Sequence, residues 1–196
     1  MTPKEENSLR KKIARIKANL AADKRRWGGC YHDGSGNRYK PPHLYIQLGD
    51  FDEGLRYMNW FDKNFPDDSC YPVFYFEWTV ILFMKKKNKE AQRKAFKTYC
   101  SNIYVFDKYF GKELKKVEKS EKSNTETLEY CINFEYSFQK EEFSSFNIWL
   151  TKFLNSEKFI KLSNEFISLM KELKSEKDFE KRTVIIERKN KLIDEI

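Results

Sequence analysis

The densest collection of chemistry-bearing side chains lies between Gly28 and Lys40, where Cys30, His32, Asp33, Ser35 and Asn37 stand among glycines. Asp33, Ser35 and Asn37 alternate as oxygen ligands do at the first, third and fifth positions of a calcium loop. The pattern then fails, because the sixth position is Arg38 instead of glycine and the twelfth is Leu44 instead of a bidentate glutamate. Cys30 and His32 supply too few ligands for a structural zinc ion. The stretch therefore reads as a connector, with a lid or partner-contact loop as the sharper reading, since loops often carry function. Elsewhere the chain has no glycine-rich phosphate loop, no His-Glu-x-x-His and no Gly-x-Ser-x-Gly, and its only histidines are His32 and His43. Its carboxylates are interleaved with lysines, the pattern of solvated helix faces. The expectation is a non-enzymatic protein that needs no metal and no cofactor.

The elements that hold these residues are expected to be helices. Seven glycines and five prolines in 196 residues are few for an all-β chain with its many turns. Aromatic residues make up 16% and fall mainly at helical spacing, which assigns most of them to a core. No run of about 20 apolar residues is present to cross a bilayer, and the opening Met1-Thr2-Pro3-Lys4 has no apolar signal core. A cytoplasmic protein is expected. Cys30, Cys70, Cys100 and Cys131 are too widely spaced for a metal knuckle or a small disulfide scaffold and read as reduced thiols in small core spaces.

In chain order, residues 1–27 predict a helix with Leu9, Ile13, Ile16 and Leu20 on one stripe and Arg10, Lys11, Lys12, Arg15, Lys17, Lys24, Arg25 and Arg26 on its other faces. Residues 28–40 form the loop. Pro41 and Pro42 begin a short helix, because proline is tolerated only in the first turn. Leu48-Gly49-Asp50 is a turn, and Phe51, Gly54, Leu55, Met58, Phe61 and Phe65 mark the buried stripe of the next helix, ended by Pro66. Residues 73–84 are rich enough in β-branched and aromatic types for a strand, but the run of about twelve passes straight into a further helical pattern, and helix is preferred.

The layout from Gly49 to Pro66 resembles the second half of a tetratricopeptide repeat, in which two helices meet at a tight turn and a proline closes the unit. Gly54 falls where that family places a small residue so that the helices can touch. A second, degenerate unit places Ala91 at the same position, Ala95 and Thr98 at the next contacts, and Tyr75, Trp78, Thr79 and Leu82 in the first-helix core, with Lys86 in place of the turn glycine. The resemblance spans residues 38–104. It implies an all-α fold of stacked antiparallel hairpins in a right-handed superhelix, occupying residues 41–111, with capping helices at both ends.

Residues 112–124 lose apolar density and read as a charged, mobile linker or exposed turn, and Ser123 with Glu126 can form a capping box for the helix that follows. That helix is expected to carry Leu128, Cys131, Ile132, Phe134, Tyr136 and Phe138. Further apolar stripes follow at Phe143 to Leu154, Phe159 to Leu173 and Val184 to Ile196, so that residues 125–196 cap the stack as part of one continuous domain.

The resemblance implies a protein-interaction scaffold that holds a peptide or protein partner in a groove lined by His43 and Gln47 of the first unit and Phe76, Glu77, Val80, Phe83 and Lys87 of the second. Family members that clamp a terminal carboxylate do so with Lys and Asn, whereas this chain offers Tyr39, His43 and Glu77, so no such clamp is expected. The alternative follows from the net charge of +8: Lys85, Lys86, Lys87, Lys89, Arg93 and Lys94, helped by the basic first helix, bind nucleic acid or another polyanion.

Overall fold

The computed structural model describes residues 1–196 and contains helices, turns and extended segments but no strand. The all-helical class expected from composition is therefore the one observed, and residues 73–84 are helical. The chain divides into two compact units: residues 1–69 with 80–86, and residues 70–79 with 87–196.

In the first unit, α1 (Pro3–Arg26) starts at a capping box, with the Thr2 hydroxyl accepting from the Glu5 N–H and the Glu5 carboxylate accepting from the Thr2 N–H. Its stripe Ile13, Ile16 and Leu20 is buried. The loop that follows is tied down by carboxylates. Asp23 accepts from the His32 and Asp33 N–H groups, and Asp33 accepts from those of Asn37 and Arg38 at 2.9 Å. The calcium-like spacing thus serves a turn, with Asp33 buried and its charge met by the Arg38 guanidinium at 3.2 Å. Helix α2 (Pro41–Leu48) begins on its two prolines, turns at Gly49 and gives way to α3 (Phe51–Asn64), capped by the Asp50 carboxylate. Both α1 and α3 pack on α2.

Gly54 sits in α3 where α2 and the second half of α4 (Pro72–Met84) converge. A Cβ there would lie 3.2 Å from Ile81 Cδ1 and 3.4 Å from Tyr45 Cβ, so glycine lets the three backbones close in. Arg38 joins the same unit together: its guanidinium bonds Asp68 at 2.8 Å, and its carbonyl accepts from the Tyr57 hydroxyl.

The second unit is organised on aromatic rings. Phe76, in the first half of α4, is fully buried among Tyr109, Phe134, Tyr136 and Phe146, with ring centroids 5.0 to 5.8 Å apart. Such pairs contribute about 0.5–1.5 kcal/mol each beyond the area they bury. Glu77 is also buried and accepts from the Tyr136 hydroxyl at 2.8 Å. Helix α5 (Asn88–Ser101) keeps Ala91 and Ala95 fully inside and leads through the short α6 (Val105–Tyr109) to the segment expected to be a linker.

That segment is instead a pinned strap. The Val117 N–H donates to the Tyr104 hydroxyl and the Ser120 N–H to the Met170 carbonyl, while Lys119 is buried and donates to the Glu126 carbonyl and the Glu121 carboxylate. The anticipated capping box does not form. Ser123 caps a 3-10 turn, Asn124–Glu126, and Thr127 caps the single-turn helix α7 (Leu128–Ile132). Residues 133–140 are not helical, contrary to the expected long helix. Phe134 and Tyr136 alternate inward from non-helical backbone, with Glu135 exposed between them. Helices α8 (Ser144–Leu154), α9 (Glu157–Ser175) and α10 (Phe179–Lys191) complete the unit, with α9 packing on α5, α8 and α10.

No disulfide joins the four cysteines, and only Cys70 and Cys131 are buried. Cys100 is partly covered and Cys30 is exposed, because it sits in the irregular loop instead of a core space. No helix is long and apolar enough to cross a membrane.

Candidate functional site

The residues expected to line a partner groove do not share one environment. Phe76 and Val80 are wholly buried, so they belong to the core and cannot meet a partner. Periodicity could not separate these cases, since a helix apolar nearly all round has no marked outer face. Glu77 is likewise internal. Gln47 is exposed, His43 and Phe83 are half-buried, and Lys87 is half-buried with its ammonium 2.7 Å from Glu90.

The basic residues of the alternative reading differ in exposure and in partners as well. Lys85 pairs with Asp52 at 2.6 Å, and the Lys94 ammonium lies 3.2 Å from the centre of the Trp78 ring. Lys86, Lys89 and Arg93 are exposed. The cations of this stretch are thus partly committed to neighbours within the fold.

A different surface of the first unit has the form of a site. Where α1 and α3 rest side by side on α2 they leave an open groove of about 410 Å³. From α1 come Lys17, Leu20 and Ala21. From α3 come Glu53, Arg56, Tyr57 and Trp60, and the loop adds Tyr31. Both contributions follow helical spacing, i, i+3 and i+4 on α1 and i, i+3, i+4 and i+7 on α3, so each helix turns one continuous stripe toward the opening. These stripes run beside the apolar stripes legible in the sequence and mix charged with aromatic types. A search for purely apolar periodicity passes over them, whereas Glu53-Arg56-Tyr57-Trp60 was available as a signal.

The floor is rigid and aromatic. Tyr57 is buried, stacks obliquely against Trp60 at 5.0 Å, and has its hydroxyl fixed to the Arg38 carbonyl at 2.8 Å. Burial, with the nearby Asp33 carboxylate adding to it, pushes the Tyr57 phenol well above its ordinary pKa, so the phenol stays neutral. Tyr31 meets the Trp60 ring edge-on at 5.6 Å and Phe65 at 5.0 Å. No family model, curated protein or solved structure matches the chain. The site's own geometry is the basis for reading it.

At the rim, the Lys24 ammonium lies 4.9 Å above the Tyr31 ring and the Lys17 ammonium 5.6 Å from the Tyr45 ring. Glu53 is the one carboxylate among the lining residues; it lies 3.7 Å from Lys17 and also pairs with Arg56. The lining offers a ligand apolar contact and charge. A second cavity, of about 530 Å³ in the other unit, is floored by Ile103, Phe106 and Phe159. Asp107 and Lys112, both in its lining, pair with each other at 3.4 Å.

Proposed function

We propose that the chain is a non-enzymatic protein-interaction module that holds a peptide segment of its partner in the groove between α1 and α3. The observation that carries this reading is the groove itself: an open trough walled by two helices fixed on a third, with a floor of Tyr57, Trp60 and Leu20. Aromatic anchors in rigid clefts supply most of the energy of protein recognition, and a helix or extended peptide laid in a groove between helices is a common mode.

The tetratricopeptide-like arrangement is proposed with it, and two features support it. Gly49 and Lys86 both take a left-handed corner conformation, and Gly54 and Ala91, each five residues further on, are both buried small residues. The proposed groove differs from the surface expected from sequence, since it uses α1 and α3 and leaves out Phe76 and Val80.

Selection from a random displayed peptide library against the purified chain tests the proposal, with Ala21→Trp as the counter-target. Ala21 is exposed, so the larger ring fills the trough while the helix is kept, which circular dichroism checks. Enriched peptides are expected to bind the wild-type chain and lose at least about tenfold in affinity, or 1.4 kcal/mol, on the variant. Equal binding to both overturns the proposal. Retardation of a labelled oligonucleotide at low salt, abolished by high salt, favours the polyanion alternative.

A further inference from the structure

We infer that the segment taken by this groove is acidic, with an aromatic or long aliphatic anchor flanked by Asp or Glu. The inference rests on the reading of the groove as a peptide site and adds the chemistry of its occupant. The floor of Trp60, Tyr57 and Leu20 takes the anchor, because burying one apolar side chain there removes both surfaces from water.

The rim decides the charge. Lys17 and Arg56 line it, and Lys24 stands over its wall at Tyr31, against the single carboxylate of Glu53. Glu53 already serves both Lys17 and Arg56, and its contact with Lys17 is loose at 3.7 Å between two half-exposed side chains. Such a pair is held weakly in water and exchanges readily for an incoming carboxylate. Lys24 stands seven residues beyond Lys17 and so falls on the same face of α1. A basic segment would meet repulsion along this wall, while an acidic one is steered toward it.

Three synthetic peptides with one aromatic anchor test the inference, the flanks being Glu, Ser or Lys, with binding read by fluorescence anisotropy at low and high salt. The Glu peptide is expected to bind at least about tenfold more tightly than the Ser peptide and to lose most of that margin in high salt. In the double variant Lys17→Glu/Arg56→Glu the order reverses, and the Lys peptide becomes the tighter binder. If the Glu and Ser peptides bind equally and Ala21→Trp weakens both, the groove is a peptide site and the acidic inference falls. A preference for the Lys peptide on the wild-type chain also overturns it. If Ala21→Trp weakens none of the three, both the inference and the groove reading fall.

Discussion

The corner at Gly49 and the corner at Lys86 perform the same turn with different residues. Their φ angles are 66° and 58°, and each N–H donates to the carbonyl three residues back, at 3.0 and 2.8 Å. The next helix starts two residues later in both cases, and a buried small residue follows five residues after the corner, Gly54 in one and Ala91 in the other. The first corner uses the residues this geometry prefers: glycine in the left-handed region and Asp50 as a side-chain cap. The second has Lys86 in a conformation that disfavours side chains and Lys87 at a cap position without a capping side-chain bond. The same corner thus forms both with and without the residues that favour it.

Substitutions at the two corners sharpen this contrast. Gly54→Leu has the largest expected effect, a loss of about 1–3 kcal/mol, because the added atoms enter space already bounded by Ile81 and Tyr45. Chemical denaturation reads the loss, and an unchanged midpoint would mean that the crossing is not close. Asp50→Ala removes the cap of α3 and is expected to lose about 1 kcal/mol in the same assay. At the weaker corner the sign inverts: Lys86→Gly is expected to gain about 0.5–1 kcal/mol by relieving the left-handed lysine. A loss there would show that the Lys86 side chain contributes something its geometry does not reveal.

Alkali separates the buried thiols from the buried phenols more gently. Burial raises the Cys131 thiol from 9.0 to about 12 and the Cys100 thiol further, while the first unit's Tyr57 starts from 10.0 and is also raised. A raised pKa means that the unfolded chain releases its proton first, so the stability is complete below pH 9 and falls as pH rises above it. Urea midpoints are expected to decline between pH 9 and 10 in the wild-type chain. The double variant Cys100→Ala/Cys131→Ala should flatten that decline, and Tyr57→Phe should leave it unchanged until pH approaches 10.

Where a side chain's partners lie along its own helix, the fold could be read from sequence. The stripe of α1, the proline start of α2 and the turn at Gly49 all follow from spacing and residue type. The misreadings lie where long-range contacts decide. Lys119 gave no sign of burial, since its stabilising acceptor is the Glu126 carbonyl, brought back by a turn. Phe134 and Tyr136 stand two apart and both point inward, a spacing that fitted the non-helical backbone better than the helix extrapolated from Leu128. For the site, only its parts were legible. Arg56, Tyr57 and Trp60 stand on one helical face, but their meeting with Lys17 and Leu20 depends on α2 spacing α1 from α3.

The central claim is that the α1–α3 groove is where a partner docks, and the indole resonances of the four tryptophans test it most directly. With the indole N–H groups labelled, titration of the Glu-flanked peptide is expected to move the Trp60 signal progressively and to leave those of the buried Trp78 and of Trp149 in α8 in place. A Trp60 signal that stays fixed while the peptide binds, or a Trp149 signal that moves instead, would contradict the account.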